Sequence, residues 1–410
     1  MGYNVLMNTK ILTTAIVGGG ASGLMLASML CQSQKNIAVF ERGDRVGKKL
    51  SATGNGQGNI TNLACEEETY GSSTLFGTEK AKRMICAYGK NSLFDFFQNL
   101  GVLLLADERG RVYPAGRQAS ALTDALRFFI AENGVETHIS ARVVSVEKRK
   151  ELFVLTLENG ETFYAQTVAL CTGGKAAKNF GTDGSAYKIA MEKGHTLTPL
   201  FPSLVQLKTD TKTIKTLKGI RVADAVVTAY WENQSQTLTG DVIFTDYGVS
   251  GDAIFRISSY IADKIQQGVR LTIDFLPQFS YEKILALVQR KRERFPHTPH
   301  GELLCGIVNN QIGRAVMKLA GDGDLCSAVK FVKAFPLTVT GTLGFDYAQV
   351  TKGGIPLEET DENLQSKFTG GLYFAGEILD VDGRCGGFNL QWAYSSAKAV
   401  ANAITEKARG

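Results

Sequence analysis

Three glycines and one acidic residue near the start of the chain have the types and spacing that bind a nucleotide phosphate. Gly18, Gly20 and Gly23 lie between two apolar segments, and Glu41 follows the next apolar run, Ile37 to Phe40. Gly18 permits a tight turn, Gly20 lets a phosphate approach bare backbone, and Gly23 allows the next helix to pack closely on the strand. The pattern predicts a βαβ unit that binds a dinucleotide phosphate at a helix N-terminus.

The acidic residue that ends this unit predicts how the adenosine is held. Glu41 lies where a carboxylate accepts hydrogen bonds from the ribose, and this disfavours a 2′-phosphate at the same position. The predicted cofactor-binding residues in this part of the chain are Gly18, Gly20, Ala21, Ser22, Gly23, Glu41 and Arg42.

An uncharged segment after Lys10, residues 11–34, has a second interpretation as a signal or membrane segment. Successive glycines each cost a helix about 1 kcal/mol, and Thr13 and Thr14 precede a short β-branched run where such a segment needs a continuous apolar helix. The apolar pattern continues into Ile37–Phe40 without a cleavage site. We therefore expect a cytoplasmic protein with no membrane segment.

The bulk composition limits the class of protein. The 410 residues allow two or three domains, and the formal charge of +5 is too mild to predict a nucleic-acid partner. The basic cluster Arg290–Arg294 lies in a helical pattern, which we interpret as a solvated helix face. Seven scattered cysteines favour a reducing compartment, and His297 and His300 lack the further ligands of a zinc site. We expect no metal.

A segment rich in glycine and asparagine, residues 47–62, follows the first unit. Its composition predicts an irregular loop, and a plain surface loop is the alternative interpretation. Such a loop exposes backbone and small hydroxyl groups to a flat polar ligand such as an isoalloxazine ring. The residues that we expect to contact the cofactor here are Lys48, Thr53, Gly54, Asn55, Gly58 and Asn59.

Periodicity predicts helices over 79–100 and 117–133, with a hairpin between them, and strands over 141–158. Residues 166–174 then form a buried strand that ends in glycines, beside the expected adenosine and pyrophosphate. The cofactor contacts predicted in this part of the chain are Val143, Thr172, Gly173 and Gly174.

The C-terminal part of the chain supplies a second half of the nucleotide site. An apolar strand at 371–377 ends in Gly-Glu, and a glycine loop at 383–389 precedes an amphipathic helix at 390–407. Many nicotinamide-dependent dehydrogenases supply both halves consecutively, so a second half this far away favours FAD. Glu377 is placed to bind the ribityl chain, and the helix N-terminus favours reduced flavin. The contacts predicted here are Gly376, Glu377, Asp380, Gly387, Asn389, Leu390 and Gln391.

The middle of the chain changes character near His195, which we interpret as a turn or hinge histidine. β-rich sequence follows, a helical block covers 281–329, and strands resume near 335–339. The predicted organisation is an FAD-binding domain in two parts, 1–194 and 350–410, around an inserted β-rich domain at 195–280 and 331–349 that itself carries a helical insertion at 281–330.

Several motifs together resemble the BaiN-like family of FAD-dependent oxidoreductases, which includes 3-dehydro-bile-acid Δ4,6-reductases. The resemblance rests on the first glycines and on the motifs at 52–62, 244–251, 350–355 and 371–383. It implies an α/β fold: a Rossmann-type FAD-binding domain with a parallel sheet, interrupted by a β-barrel-like domain with a helical insertion. The chain departs from many relatives at Gln57-Gly58, so an activity that needs a cysteine there is not expected.

The resemblance implies hydride transfer from reduced flavin to a carbon-carbon double bond conjugated with a carbonyl. Such a reaction needs a donor that polarises the carbonyl and a proton source. Arg117, Asp246, Tyr247 and Arg384 are the candidate catalytic residues, and each has a structural alternative. The chain has no second Gly-x-Gly-x-x-Gly unit, so NAD(P)H would bind transiently as reductant, or the electrons would come from another donor.

Two other interpretations stay open. The first is a flavoenzyme that acts on RNA or oxygen, and an RNA enzyme would need a concentrated basic face on the inserted domain. The second is a non-catalytic protein in which FAD is a structural or sensing ligand. The expected partner is a small-molecule substrate, and the oligomeric state is open.

Overall fold

A computed structural model describes residues 10–65, 70–321 and 324–409 of the chain. The chain forms two compact units. Unit 1 runs to Leu200 and resumes at Val350, and unit 2 comprises Phe201–Gln349.

The described residues form twenty strands and eleven α-helices. The strands are β1 (Ile11–Val17), β2 (Ile37–Phe40), β3 (Thr61–Asn62), β4 (Tyr70–Gly71), β5 (Leu104–Ala106), β6 (Arg111–Pro114), β7 (Glu136–His138), β8 (Val143–Arg149), β9 (Leu152–Leu157), β10 (Thr162–Leu170), β11 (Phe201–Ser203), β12 (Leu207–Thr209), β13 (Arg221–Trp231), β14 (Gln234–Phe244), β15 (Gly248–Ser250), β16 (Arg270–Asp274), β17 (Phe335–Thr342), β18 (Val350–Lys352), β19 (Leu372–Phe374) and β20 (Asp382–Gly383). The helices are α1 (Ala21–Leu30), α2 (Lys48–Ser51), α3 (Leu75–Ala87), α4 (Lys90–Asn99), α5 (Ala119–Glu132), α6 (Tyr187–Met191), α7 (Asp252–Ile261), α8 (Tyr281–Arg294), α9 (Asn310–Ala320), α10 (Leu325–Lys333) and α11 (Phe388–Arg409).

The main sheet of unit 1 has the strand order β7-β2-β1-β10-β9-β8, and β19 also pairs with β10. β7, β2, β1, β10 and β19 pair in parallel, whereas β9 and β8 pair antiparallel at one side. β2 and β19 are buried along their whole length, as parallel strands covered on both faces require. Helices α1 and α11 pack against each other over the sheet. The prediction of a Rossmann-type domain is confirmed.

Unit 2 is built on a closed barrel with the strand order β12-β15-β14-β13-β16-β17. Its longest element is the hairpin β13–β14, whose turn contains Glu232 in a left-handed conformation. Helices α8, α9 and α10 lie between β16 and β17 in the sequence and pack on the barrel core. The prediction of a barrel-like domain with a helical insertion is therefore confirmed.

Some local predictions differ from the structure. Residues 79–100 form two helices, α3 and α4, because the chain breaks at Tyr88-Gly89. The segment predicted to be irregular contains α2, which begins after Gly47 in a left-handed turn and buries Leu50. Lys and Leu have high helix propensity, but the many glycines around this short segment led to the prediction of an irregular loop. β14 and α7 had no counterpart in the sequence prediction.

The second interpretation of the uncharged segment near the start is wrong, because residues 11–34 form β1 and α1 within the main sheet. Over the described ranges, none of the helices combines the length and the apolar character needed to cross a bilayer.

His195 is a buried structural histidine of unit 1. Its Nδ1 lies 3.0 Å from Glu359 Oε2 and its Nε2 lies 2.7 Å from Ser366 Oγ. The Ser366 hydroxyl already accepts from the amides of Phe368 and Thr369, so it donates its proton to Nε2, and the ring proton on Nδ1 is donated to Glu359. Burial lowers the pKa of His195 below its ordinary value, although Glu359 opposes this shift.

We expect His195 to make stability depend on pH below about pH 6.5, the ordinary pKa of histidine. As the pH falls through that value the unfolded chain binds a proton that the folded chain resists, so the free energy of unfolding falls by up to about 1.4 kcal/mol per pH unit. Urea denaturation of His195→Gln should give a flatter profile between about pH 7 and pH 5.5. His297→Gln, at an exposed position, serves as control. Equal slopes in His195→Gln and wild type would contradict the assignment.

Candidate nucleotide site

The turn between β1 and α1 is shaped by close backbone contacts. Gly18 has a φ of +107°, and a β-carbon on it would overlap the carbonyl oxygen of Cys171. A β-carbon on Gly23 would lie 1.9 Å from the carbonyl oxygen of Gly18. Gly20 differs, since a β-carbon there would have no atom within 4 Å. The first-turn amides of α1 lack helical partners, and no side chain caps Gly20, so these donors suit a phosphate.

Glu41 is tied to the backbone of this turn. Its carboxylate accepts hydrogen bonds from the amide of Gly19 at 2.9 Å and from that of Gly43 at 2.6 Å. Its own amide donates to His138 and its carbonyl accepts from Ala141, which fixes the chain beside β7. The ionised carboxylate keeps further lone pairs for other donors. Glu41 is thus rigid and still able to accept from a ribose.

Arg42 and Val143 border the same end of the sheet. Arg42 Nη1 lies 2.6 Å from Asp183 Oδ1, so its guanidinium is paired within the protein. Burial raises the pKa of Asp183, but the hydrogen bonds from Arg42 and Ser185 outweigh it and hold this pKa well below its usual range. Val143 is buried at the start of β8. Arg42 therefore links this end of the sheet to the segment after β10.

The segment after β10 contacts the returning C-terminal part of the chain. A β-carbon on Gly174 would lie 3.0 Å from Glu377 Oε1, and the side chain of Thr351 is closer still. Thr351 Oγ1 accepts from the amides of Lys175 and Ala176 at 2.8 and 2.9 Å. Thr172 and Gly173 lie directly before this contact, and Gly173 has a φ of +71°. Thr351 was not a predicted site residue. The only signal in the sequence was that it belongs to the family motif at 350–355.

Glu377 carries an ion pair that the sequence did not reveal. Its Oε2 lies 2.7 Å from Lys49 Nζ, and its Oε1 accepts from the amide of Thr351 at 2.8 Å. The preceding residue, Gly376, sits on the first turn of α1, where a β-carbon would lie 2.6 Å from Ser22 Oγ. The Gly376-Glu377 segment thus contacts the turn between β1 and α1, which is the phosphate turn of the predicted site.

Lys48, the lysine predicted for the site, forms an ion pair at 2.6 Å with Asp44, which lies in the loop before α2. Neighbouring residues on a helix point about 100° apart. The register of α2 therefore directs Lys49 to Glu377 and Lys48 elsewhere. The sequence offered two adjacent lysines and no means to choose between them.

The rest of the loop after α2 is turned by left-handed residues. Gly54 and Asn55 have φ values of 58° and 55°, and Gly58 packs against Ala119. Thr53 Oγ1 donates to the carbonyl of Leu50 at 2.6 Å. The loop is ordered by its own backbone geometry and presents Asn55 to solvent.

Asp380 is a buried carboxylate used within the protein. It accepts from Ser72 Oγ at 3.1 Å and from the amide and hydroxyl of Ser73 at 3.0 and 3.2 Å. Burial raises its pKa, although these hydrogen bonds oppose the shift. Asp380 anchors the 72–73 segment to the C-terminal strand, and its cofactor role stays a prediction.

The glycine loop before α11 is closed by side chains of the helix. Asn389 Oδ1 accepts from the amide of Gly383 at 2.9 Å, and its Nδ2 donates to the carbonyl of the same residue at 2.7 Å. Gln391 is fully buried, where Thr61 Oγ1 donates to its Oε1 at 2.6 Å and its Nε2 donates to the carbonyl of Tyr88. Leu390 lies between these two residues, and Gly387 precedes them; a β-carbon on Gly387 would overlap the backbone of Thr61. Asn389 and Gln391 therefore shape this end of the site, and a direct contact with a ligand stays a prediction.

The four candidate catalytic residues lie in different places. Arg117 has a φ of 51° and stacks its guanidinium 4.2 Å from the ring centroid of Tyr113, beside the 53–59 loop. Arg384 is exposed on the glycine loop. Asp246 and Tyr247 belong to the barrel of unit 2, where an exposed ion pair between Asp246 and Lys218 lowers the pKa of that carboxyl.

Five buried polar atoms in unit 1 have no hydrogen-bond partner within the described residues: Asn59 Oδ1, His138 Nε2, Thr172 Oγ1, Tyr187 OH and Glu358 Oε2. Asn59 and Thr172 are predicted cofactor contacts, and Tyr187 interacts electrostatically with Glu377 and Asp380. A buried polar group without a partner costs about 1–3 kcal/mol, so such atoms point to a missing partner. Burial raises the pKa of Tyr187, and Glu377 and Asp380 add to this shift, so the hydroxyl remains a donor. The phosphates and hydroxyl groups of a dinucleotide supply matching donors and acceptors. Asn59, Thr172 and Tyr187 therefore fit the predicted cofactor.

Comparison with known proteins places the chain in a family. Residues 12–403 match the family described as HI0933-like protein Rossmann domain, and the chain belongs to that family. It is 34% identical to the 3-dehydro-bile acid delta(4,6)-reductase of Clostridium scindens, over 96% of this chain and 98% of the relative. It is 28% identical to the ribosomal RNA dihydrouridine synthase of Haemophilus influenzae, over 96% of this chain and 98% of the relative.

A solved structure shares the fold at low sequence identity. The match to the open conformation of a flavocytochrome c3 fumarate reductase covers 98% of this chain and 80% of the reductase chain, with a TM-score of 0.52 and 14% sequence identity. The resemblance inferred from the motifs is confirmed by the family match and by the reductase relative. The predicted class, an enzyme of the oxidoreductase type, is confirmed as well.

Substitutions at two glycines of the turn separate folding from ligand binding. Gly23→Ala places a methyl group against Gly18 and should destabilise the protein by about 1–3 kcal/mol or more. Gly20→Ala meets no protein atom, so thermal unfolding should stay at the wild-type temperature while the Kd for FAD rises about tenfold. Unfolding curves and flavin fluorescence titrations measure the two effects. Wild-type FAD affinity in Gly20→Ala would contradict the phosphate site.

Proposed function

We propose that this chain is an FAD-dependent reductase that delivers hydride to a carbon-carbon double bond conjugated with a carbonyl, with NAD(P)H as a transient reductant. The observation that carries this proposal is the nucleotide site of unit 1, in which an open phosphate turn, Glu41 and Glu377 come together in a chain that aligns almost end to end with a reductase. FAD would be bound from both ends of the chain.

The names of the two relatives describe one chemical change. A 3-dehydro-bile acid with double bonds at positions 4 and 6 has a ketone at carbon 3 that is conjugated with them. Dihydrouridine differs from uridine by saturation of the 5,6 double bond, which is conjugated with the carbonyl at carbon 4. Both reductions add hydride to a carbon-carbon double bond polarised by a carbonyl. We carry that reaction type over to this chain.

The residues of unit 1 have distinct roles in this proposal. The first-turn amides of α1 hold the pyrophosphate, Glu41 the adenosine ribose and Glu377 the ribityl chain. Bound FAD supplies hydride transfer through N5 of its ring. Arg117, held on the Tyr113 ring, is the donor that polarises the substrate carbonyl. The scattered cysteines support a cytoplasmic location, and this too is part of the proposal.

Uridine in RNA is a second candidate substrate, and one surface of unit 2 favours it. Residues 281–333 contain nine Lys and Arg against five Asp and Glu, although the whole chain has a net charge of only +5. An exposed stripe along α8 carries Lys283, Leu287, Arg290 and Arg294 at helical spacing. Phe295 is also exposed and lies 5.7 Å from the Arg294 guanidinium. Cations interleaved with an aromatic side chain suit a single-stranded nucleic acid.

Anaerobic reduction followed by reoxidation tests the proposal and separates the two substrates. Purified protein should show flavin absorption, bleach with NADH or NADPH, and regain colour on addition of a steroid 4-en-3-one or 4,6-dien-3-one. RNA containing uridine replaces the enone in a parallel arm. Reoxidation by RNA and not by any enone would favour the second candidate. Reoxidation by neither would contradict the reductase function, and a protein that never binds flavin would contradict the proposed cofactor.

Arg117→Gln tests the carbonyl-polarising role. Removing one charged donor from a reacting carbonyl costs roughly 10²-fold or more in kcat, so enone reduction should fall by about that factor. FAD binding and reduction by NAD(P)H should stay within about twofold of wild type, since the guanidinium stacks on Tyr113 outside the phosphate turn. Arg109→Gln, an exposed neighbour, serves as control. An unchanged kcat in Arg117→Gln would remove this residue from the mechanism.

A further inference from the structure

The ion pair between Lys49 and Glu377 joins residues 328 positions apart in the chain. The Nζ–Oε2 distance is 2.7 Å, and the side chains retain only 25% and 20% of their exposure. Ion pairs between neighbouring turns of a helix are more exposed than this, such as Arg127–Asp124 and Lys188–Glu192. A partly buried pair between distant segments is less screened by solvent than an exposed one.

Glu377 lies at the edge of the sheet where an uncompensated negative charge would repel an anionic ligand. Gly376, its neighbour, contacts Ser22 in the first turn of α1, and Gly174 at the end of β10 contacts its carboxylate. Ligands of open α/β sheets bind at this carboxyl edge. The amide of Thr351 satisfies one carboxylate oxygen and Lys49 neutralises the other. Without Lys49, an uncompensated carboxylate would face the approach of an anionic ligand.

We propose that Lys49 is a positioning residue for cofactor binding: it neutralises and orients Glu377 so that the site admits the anionic pyrophosphate of FAD. The proposal rests on the proposed function, because it assumes that the ligand of unit 1 is FAD. Lys49 also holds α2 against the C-terminal strand, so the two ends of the chain close the site together. Nothing in the role requires Lys49 to touch the cofactor.

A set of five variants tests the proposal through FAD affinity, measured by quenching of flavin fluorescence on titration of the flavin-free full-length protein. Lys49→Met should raise the Kd for FAD about tenfold, because it leaves Glu377 charged and unpaired. Lys49→Arg should stay within about threefold of wild type, because it keeps the charge. Lys49→Met combined with Glu377→Gln is measured against Glu377→Gln alone, which accounts for any direct contact between Glu377 and FAD. Adding Lys49→Met to that background should raise the Kd by less than about threefold, because no uncompensated carboxylate remains. Lys82→Met is the matched control, since Lys82 has the same 25% side-chain exposure and pairs with Glu79 in a helix of the same unit.

The outcomes separate this proposal from the proposed function. Wild-type protein that fails to bind FAD contradicts the proposed function. Wild-type protein that binds FAD while Lys49→Met matches Lys82→Met overturns the role of Lys49. A tenfold loss when Lys49→Met is added to Glu377→Gln also overturns it, because the lysine would then act independently of the carboxylate. Thermal unfolding of each flavin-free variant shows whether an affinity loss follows from unfolding, and a loss that tracks stability across all five variants counts against the proposal.

Discussion

The close approach of backbone to backbone at the turn between β1 and α1 is the constraint on which the site depends. Gly23 rests on the carbonyl of Gly18, and Gly18 rests on the end of β10 at Cys171. Neither contact leaves room for a side chain, so the helix axis and two parallel strands are fixed relative to one another. That arrangement aims the free amides of α1 at open space beside Gly20. The amide donors that we propose for the phosphate are therefore positioned by packing alone, before any charged residue takes part.

The C-terminal segment completes the site through contacts of great sequence separation. Gly376 packs on Ser22, and Ser22 Oγ donates to the carbonyl of Ala375 at 3.2 Å. Trp392 Nε1 donates to the carbonyl of Gly376 at 3.1 Å, which fixes α11 on the same strand end. Because β19 pairs in parallel with β10, the ends of both strands lie at one edge of the sheet. The site thus forms only when both ends of the chain have folded together, and long-range contacts of this kind make folding slow.

Sequence patterns predicted the backbone of the site better than its side-chain partners. Gly18 and Gly23 were predictable because a backbone contact excludes every other residue type, and the order of strand, glycine turn and helix is local. The roles of Lys49 and Thr351 were not predictable. Each depends on which side chain of a short helix or strand reaches Glu377, which is 328 residues from Lys49 and 26 residues from Thr351. Asn389 and Gln391 were predicted as cofactor contacts near the start of the last helix, but only the structure shows that the Asn389 amide closes the glycine loop and that the Gln391 amide accepts from Thr61. The sequence predicted β-rich structure in the region of the barrel but not the hairpin β13–β14, whose second strand alternates with polar residues.

One scaffold can serve different substrates when backbone features hold the cofactor and side chains select the substrate. The reductase and the dihydrouridine synthase align with this chain over almost its whole length, yet a bile acid and a ribosomal RNA share little beyond a conjugated double bond. The features that unit 1 needs to hold a dinucleotide are glycine contacts, helix amides and a few carboxylates, and none of these recognises the body of a substrate. Substrate choice must therefore reside in side chains that the phosphate turn does not constrain. Gln57 is one such residue, because it lies exposed in a loop whose course is set by the left-handed Gly54, Asn55, Gly56 and Gly58. A loop held by its backbone can exchange such a side chain and still keep its course.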